Sequence, residues 1–527
     1  MAAQKNGKDC AGRRSKRMEV LSETDVLIVG AGPVGVTLAA LCGRLNLRTC
    51  VIDKLPSMQM QPRAMALDNE ALRILQLAGL DEASFSRFEV PQVRLRSTSF
   101  GQFARMNTKG LVDGHPMLIS FFQPELELAL LESLTRYPSV QLLRPVEWFE
   151  TIEDDEGCTV SLRCADGGVR RVRAKFVVGA DGASSLVRRS MNVGFKGSTY
   201  QEDWLVVDAL NVDKEFSHVE FSCDPQRPTA HIPGPGSRQR WEFMLHPGEI
   251  AEDMLKHETI KKLQIERTAV YRFHARTAAV FQQGRTFLVG DAAHVSPPFI
   301  GQGLVSGLRD AANLAWKLAW VVRAQANSRI LSSYHTERQP HVWAMIQLAK
   351  WMGILVMPRS RWAALLVHGF AKIATRIPGL RSLIVDIKIK PKNRFRLGLF
   401  APRRFGNRFE HGNHLVQGRL ESSTGEVLLS DEVLGHHFQL VGIGIDPQEY
   451  LTSIQRDVWE RIGGKTTVLL ARDSVGRAGW VDLDDSFGVR RFPHGWVVAV
   501  RPDKVIVADG EPQRTDAIVQ TIVGLLQ

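Results

Sequence analysis

The sequence predicts an α/β protein: a Rossmann-like domain with an inserted mixed β-sheet, a helical connector, and a smaller C-terminal domain of strands and helices. Three observations predict it. An apolar strand, a glycine-rich turn and a helix follow one another from Thr24 to Leu47. Strand and helix signals then alternate to about residue 340. Two further strands end in acidic turns, Ala180-Asp181-Gly182 and Gly290-Asp291-Ala-Ala-His294, far apart in the chain.

The first unit reads as a strand over Thr24–Val29, a tight turn over Gly30-Ala-Gly32-Pro-Val-Gly35 and a helix over Val34–Leu47. Gly30 permits the sharp turn, Gly32 lets the backbone approach a pyrophosphate, and Gly35 lets the helix pack closely on the strand. The unpaired N–H groups of the helix then face the phosphates. Pro33 suits the first turn, where its missing N–H has no intrahelical partner to lose. A second strand, Arg48–Ile52, ends at Asp53, whose carboxylate is placed to accept hydrogen bonds from an adenosine ribose. This unit alone does not distinguish NAD from FAD.

The stretches Val177-Val-Gly-Ala-Asp181-Gly182-Ala-Ser-Ser185-Leu-Val-Arg188 and Arg285-Thr-Phe-Leu-Val-Gly290-Asp291-Ala-Ala-His294-Val-Ser-Pro-Pro298-Phe-Ile-Gly301-Gln-Gly303 make the distinction. They resemble the paired signatures of class A flavoprotein monooxygenases, the family with the fold of p-hydroxybenzoate hydroxylase. The resemblance implies FAD, with Gly290 and Asp291 at its ribityl chain and the Asp181 segment near both the flavin pyrophosphate and the nicotinamide nucleotide. It implies a flavin-contacting Arg63 in Gln61-Pro62-Arg63-Ala64, and a Gln123 near the ribityl and phosphate region. A helix with an apolar stripe is predicted from Gly303 to Val322, directly after Pro298 and Gly301. Its positive end beside the flavin would stabilise the reduced anion by about 0.3–2 kcal/mol, and the glycines would let the backbone touch the ring. His294 is expected to stabilise the turn, with no acid–base partner evident from sequence.

Arg240-Trp241-Glu-Phe-Met-Leu, Cys223-Asp-Pro-Gln-Arg227-Pro and Gly307-Leu-Arg309-Asp310-Ala-Ala-Asn313 are similar to the 3-(3-hydroxyphenyl)propionate hydroxylases within that family, as are Gln417-Gly-Arg-Leu and Ser430-Asp-Glu-Val-Leu-Gly435 in the tail. One departure stands out: Gln61-Pro-Arg63-Ala-Met-Ala-Leu-Asp68 lacks the glycine that commonly follows this arginine. The resemblance implies an FAD-dependent aromatic monooxygenase that consumes NADH or NADPH and O2 and hydroxylates a phenolic acid through a C4a-hydroperoxyflavin. The first expectation is 3-(3-hydroxyphenyl)propionate going to 3-(2,3-dihydroxyphenyl)propionate, in aromatic catabolism. Another phenol or a polyketide, a flavin oxidase or reductase, and a non-enzymatic flavin-binding interaction protein stay open. The catalytic base is not named by the sequence; His231 and Trp241 are the candidates for the pocket wall.

Composition fits a large enzyme. The chain has 527 residues, 44% of them hydrophobic, enough for two or three cores. No run of 18 apolar residues and no signal-peptide core occurs, which predicts a cytoplasmic protein without a transmembrane segment. Cys10, Cys42, Cys50, Cys158, Cys164 and Cys223 show neither metal spacing nor a Cys-x-x-Cys pair, so no metal site is expected. The net charge of +11 is uneven: Arg359–Arg408 carries thirteen lysines and arginines against Asp386 alone, and the first seventeen residues carry six against Asp9. The first cluster reads as a surface for anionic lipid, a field for anionic substrates, or a solvated connector. No recognition motif accompanies it, so nucleic acid is not an expected partner.

The expected domains are a basic, disordered tail over 1–22, an FAD-binding domain over 23–193 and 272–340, and a β-rich substrate segment over 194–271. A helical connector over 341–400, broken at Pro358, Pro378 and Pro391, leads to a C-terminal domain over 401–527. The order of elements in that domain resembles a thioredoxin-like fold. It contains no cysteine and is therefore expected to be structural or to form a homodimer.

Overall fold

Four parallel strands, Val20–Val29, Thr49–Ile52, Val169–Gly179 and Thr286–Leu288, bring the separate motifs to one edge of a sheet. In a computed structural model of the chain, the described residues are 20–527 apart from 213–215, 257–259, 262, 378, 382–390, 392, 405 and 475–477. The expected tail therefore falls almost wholly outside them, as do the Pro378 break and Asp386. Val29 lies beside Ile52 on one side and Gly179 on the other, and Gly179 lies beside Leu288. All four strands thus end in register. The residues that follow are Gly30, Asp53, Ala180-Asp181 and Val289-Gly290-Asp291, so chain segments 260 residues apart converge at the carboxyl edge, where open α/β sheets hold ligands. The strand Val140–Leu143 extends this sheet beyond Thr49–Ile52, and the antiparallel strands Cys158–Cys164 and Val146–Glu153 extend its other side.

Helix α1, Pro33–Arg44, starts one residue before the predicted position and has Gly32 as its N-cap. Gly30 has φ +109°, and a Cβ there would collide with the Ala180 carbonyl, so only glycine fits between the two motifs. Helix α2, Asn69–Leu77, is capped by Asp68, which accepts from the Ala71 N–H at 2.9 Å. Helix α3, Gln123–Ser133, and the short α4, Leu186–Ser190, complete the first domain's early half.

The second sheet has eight strands and is larger than the predicted insertion. Phe195–Leu210, Gln264–Ala278, Gln239–Met244, Thr229–Pro233 and Val219–Ser222 come from the expected region or run just past it. Gln92–Ser97 and Gly101–Asn107, assigned from sequence to the first domain, join them through a parallel pairing of Val219–Ser222 with Gln92–Ser97. The short helix α5, Ala251–Leu255, buries Met254 in a cluster with Leu205 and Phe243. Helix α6, Gly303–Val322, has the bounds expected from its apolar stripe. The long α7, Ser333–Val356, and α8, Arg361–Ala374, follow, separated at Pro358 as expected.

The C-terminal domain is a seven-stranded mixed sheet. The sequence predicts in this domain a strand over 437–445, a helix over 447–462, a strand over 466–470, a hairpin over 495–508 and a closing helix. The strand Phe438–Ile443, helix Ser453–Arg461, strand Gly464–Leu470, hairpin Trp496–Val500 and Ile506–Gly510, and closing helix Thr515–Leu526 match it in order. Three short strands absent from the prediction, Arg419–Glu421, Val427–Leu429 and Trp480–Asp482, widen one side.

Cys42, Cys50, Cys158 and Cys223 are buried and unpaired. Burial pushes the first three thiols up to about 12, and Cys223 higher still, so none carries thiolate near neutrality. Alkylation of the native protein at pH 8 will therefore label, among the described cysteines, Cys164 alone, and the other four only after unfolding. Labelling of any of those four at the rate of Cys164 in peptide mass mapping would contradict this packing.

Candidate active site

Two cavities meet at the junction of the two large sheets. One, of about 380 Å³, runs along the carboxyl edge of the first sheet. The other, of about 650 Å³, lies between the second sheet, α2, α7 and the C-terminal domain. They share Ala66, Phe221, Ile232, Pro298, Phe299 and Gly301 as a common wall.

The smaller cavity gathers most of the predicted cofactor residues: Gly32, Pro33, Asp53, Arg63, Gln123, Asp291, Pro298, Gly301 and Gly303 all line it. Gly30, Gly35 and Gly290 instead shape the turns behind that wall. The Asp53 carboxylate accepts from the backbone N–H of Ala31 and of Leu55, both at 2.8 Å, and so ties the end of the second strand to the glycine turn. Gln123 holds the Arg63 loop: its Oε1 accepts from the N–H groups of Arg63 and Ala64, both at 2.7 Å, and its Nε2 donates to Glu127 at 2.6 Å. Arg63 itself stays exposed at the cavity mouth. After this arginine, Ala64 and Ala66 face the cavity.

Asp181 does not line either cavity. Its carboxylate accepts from Ser185 Oγ at 2.5 Å and from the N–H groups of Leu186 and Val187, closing the first turn of α4. The neighbours Ala180 and Gly182 face the cavity in its place. Arg188 then binds this turn to the Gly290-Asp291 turn, donating to the carbonyls of Ala183 and Ala292 at 2.8 and 2.7 Å.

His294 has a partner that sequence reading did not find. Its Nε2 lies 2.6 Å from Asp310 Oδ2, which also accepts from the Gly290 N–H at 3.0 Å, while Asp310 Oδ1 accepts from Arg338 Nε at 2.8 Å. All three side chains are buried. Burial alone would raise the Asp310 carboxyl, but His294 and Arg338 beside it hold it below the ordinary aspartate range. His294 is thus part of the turn's support, as its place in the motif implied.

His231 and Trp241, the candidates for the pocket wall, face away from both cavities. Their rings stack at 4.4 Å with a 15° interplanar angle, and Phe216 stacks on His231 at 3.9 Å. Side chains alternate along a strand, so the adjacent residues Ala230, Ile232, Arg240 and Glu242 point into the smaller cavity instead. The correction is one residue in register. Arg240 donates to Asp208 at 2.6 and 2.9 Å and to the carbonyls of Pro62 and Arg63, holding the Arg63 loop against the sheet. Glu242 has no hydrogen-bond partner among the described residues, and burial raises its carboxyl above the ordinary glutamate value, partly offset by Arg240.

The unpartnered groups of the smaller cavity fit a dinucleotide. Arg144 Nε and Ser296 Oγ are buried without partners among the described residues. A Cβ at Gly32 would meet nothing within 4 Å, so the start of α1 opens onto the cavity. The Asp291 carboxylate, raised by burial, accepts nothing from the described residues. A cation and a helix N-terminus suit a pyrophosphate, and an acceptor lacking donors suits the hydroxyls of a polyol chain.

The larger cavity is mostly apolar, with Ile74, Leu118, Phe299, Met345, Leu348 and Met352 among its walls. Each cation lining it is matched: Arg73 pairs with Asp431 and Asp113, Arg309 with Glu70 and Asp68, and Arg338 with Asp310. Burial keeps His414 below its ordinary value. The C-terminal domain contributes His414, Val416 and Asp503 to this cavity, which no local pattern in the tail announces.

Residues 23–349 match the FAD binding domain family, and residues 412–524 match the HcaD C-terminal domain family. The 3-(3-hydroxy-phenyl)propionate/3-hydroxycinnamic acid hydroxylase of Burkholderia cenocepacia (strain HI2424) is 35% identical, over 92% of this chain and 94% of its own. The Comamonas testosteroni protein of the same name is 32% identical, over 96% and 97%. Among solved structures, the flavin-dependent monooxygenase PieE, in complex with FAD and substrate, superposes with a TM-score of 0.79 at 19% identity, covering 96% of this chain and all of its own. Aklavinone-11 hydroxylase, in a ternary complex with FAD and aklavinone, gives 0.74 at 20% identity, covering 95% and 99%. At these identities the structural matches establish the fold.

Proposed function

This chain belongs to the FAD binding domain family and is an FAD-dependent aromatic monooxygenase, and from that premise we propose that it hydroxylates a phenolic acceptor of the 3-(3-hydroxyphenyl)propionate type in the cytoplasm. The net reaction consumes NAD(P)H, a proton and O2, places one oxygen on the ring and releases the other as water. The observation that carries this reading is the wall common to the two cavities, which puts a compartment sized for an aromatic acceptor against the cofactor compartment. The cytoplasmic assignment rests on the nucleotide reductant and on five described cysteines that are all free thiols.

In this reading the start of α1, with Gly32 and Arg144, would hold the pyrophosphate, Asp53 would serve the adenosine end, and Asp291 would accept from the ribityl hydroxyls. Bound FAD supplies the two-electron chemistry that takes a hydride from NAD(P)H and activates O2. The first residues of α6, Gly303 and Leu304, present a positive helix end to that site. Phe221, Ile232 and Phe299 exclude water from the junction.

Asp291→Ala will weaken FAD binding by about 1–3 kcal/mol, because buried hydroxyls lose their acceptor. Flavin content after gel filtration reads this, and wild-type content in the variant would remove Asp291 from the site.

A second acceptor class is favoured by the charges of the larger cavity. Among the described residues no lining cation is left without a carboxylate, so a substrate carboxylate finds no ready partner there. A volume of about 650 Å³ also exceeds what one phenylpropionate fills. An uncharged, larger phenol is the acceptor this supports. Stopped-flow reduction of the holoenzyme by NADH and by NADPH, with 3-(3-hydroxyphenyl)propionate or with neutral bicyclic phenols, followed by product mass, separates the two. Faster reduction and a product heavier by one oxygen identify the true acceptor class. Reduction insensitive to every phenol, with peroxide as the sole product, would overturn the acceptor reading.

A further inference from the structure

Helix α8 exposes an apolar stripe that none of the other described residues covers. Trp362, Leu366 and Phe370 are 78%, 75% and 72% exposed, Leu365 and Ile373 continue the same face at helical spacing, and Ile377 is exposed just beyond the helix end. The helix is pinned by its opposite, narrow face. Ala364 and Ala374 are buried there, and His368 stacks on Phe103 at 4.4 Å while its Nε2 meets the Leu355 carbonyl at 3.0 Å. Lys372 donates to the Phe100 carbonyl at 3.0 Å. The outward stripe is therefore a fixed feature of the fold and not a frayed end. The last turns of α7 expose Trp351, at 70%, and Ile354 as well.

The charge along this segment has one sign. From Arg338 to Val385 the sequence contains no aspartate or glutamate. Lys350, Arg359, Arg361, Lys372, Arg376 and Arg381 all fall within that stretch, and Arg359, Arg361, Arg376 and Arg381 are exposed. Large exposed aliphatic and aromatic residues, flanking tryptophans and long cationic side chains are the pattern of a helix that lies in a bilayer interface: the apolar face enters the acyl boundary, and the arginines reach the headgroups.

We propose that α8 and the end of α7 form a docking surface for anionic phospholipid membranes, on which the enzyme sits peripherally. A second copy of the chain fits this face less well. A twofold contact would set Arg359, Arg361 and Arg376 against their own copies with no acid in the stretch to offset them. Among the described residues no helix is long and apolar enough to cross a membrane, so the contact is interfacial. The position has a functional counterpart, resting on the acceptor reading above: α7 turns Met345, Leu348 and Met352 into the larger cavity, so the membrane-facing segment also walls the acceptor compartment. An apolar phenol dissolved in the bilayer would be delivered at that end.

The test is flotation of the purified holoenzyme with vesicles of phosphatidylglycerol and phosphatidylcholine, against vesicles of phosphatidylcholine alone, at low and at high salt. The proposal expects binding to the anionic vesicles that falls with salt. It expects a loss of about a hundredfold in affinity for R359E/R361E/R376E, and a comparable loss for W362S/L366S/F370S. Both triple variants alter exposed positions outside the active site, so flavin content and NAD(P)H oxidation with a soluble phenol should stay at the wild-type level. That control separates failure of the membrane proposal from failure of the hydroxylase reading. Absence of binding at low salt, or binding indifferent to both triple variants, would overturn the proposal. So would a wild-type dimer that W362S/L366S/F370S converts to monomer without affecting vesicle binding, since the face would then be a contact between copies.

Discussion

Asp310→Ala will yield protein that is markedly less stable and poor in flavin. Asp310 is fully buried and accepts from three directions: the Gly290 N–H, His294 Nε2 and Arg338 Nε. Removing it leaves the Arg338 guanidinium buried without its carboxylate, a loss of about 3–5 kcal/mol. It also frees the turn that presents Asp291, so flavin retention should fall even in the fraction that stays folded. Asp310→Asn keeps the shape but not the charge, and should fall between the two. Thermal melting followed by flavin fluorescence reads both effects, and a variant melting like wild type with full flavin would refute this role. The pH dependence has a definite sign. The folded Asp310 pKa lies below its ordinary value of 3.8, so its stabilisation is complete above that pH. It is lost only as pH falls further, through the depressed folded value.

Glu337→Ala will loosen the C-terminal domain from the rest of the molecule. Glu337 is buried on α7 and accepts from Lys317 at 2.8 Å, Asn313 at 2.6 Å, Arg501 at 2.7 and 3.0 Å, and the Leu399 N–H at 2.8 Å. One carboxylate therefore joins α6, α7, the connector and the C-terminal hairpin. Arg501 also pairs with Asp503, which walls the larger cavity. Burial lowers the Lys317 ammonium to about 8 even with Glu337 present. Without that carboxylate, Lys317 and Arg501 would share a buried site with too little opposing charge, at about 3–5 kcal/mol. Limited proteolysis should then release a C-terminal fragment that the wild-type protein does not yield. Equal resistance in both proteins would show that the interface holds without this ion pair. Because the tail lines the larger cavity, where the acceptor is proposed to bind, the acceptor's effect on flavin reduction should weaken in the same variant.

Local patterns made legible the turns that line the smaller cavity. The glycine turn, Asp53 and the two acidic turns each sit where a strand ends, and parallel pairing of four strands brings such ends together without further information. The acceptor half depends on contacts that no window of sequence contains. His231 and Trp241 were one residue off because both faces of their sheet are covered: Ala230 and Ile232 face the cavity, while His231, Trp241 and Phe216 stack on the other side. Alternation of apolar and polar residues, which marks a strand with one wet face, is therefore missing as a guide. The strands at 92–107 join the second sheet by pairing with residues more than 120 positions later. Asp310 stood in a segment already matched to relatives, yet its partners, the Gly290 turn and Arg338, lie 20 positions before it and 28 after it.

The wall common to the two cavities ties together two properties that an engineer would prefer to adjust separately. Ile232, Phe221 and Phe299 line both cavities, so in the proposed reading the side chains that would set how bulky an acceptor can be would also shield the cofactor compartment from solvent. Trimming Ile232 to admit a larger ring also opens a path for water, so a broader substrate range comes with more reductant lost as hydrogen peroxide. Variants selected for new acceptors should accordingly acquire compensating bulk elsewhere on this wall before they recover tight coupling between NAD(P)H consumption and product.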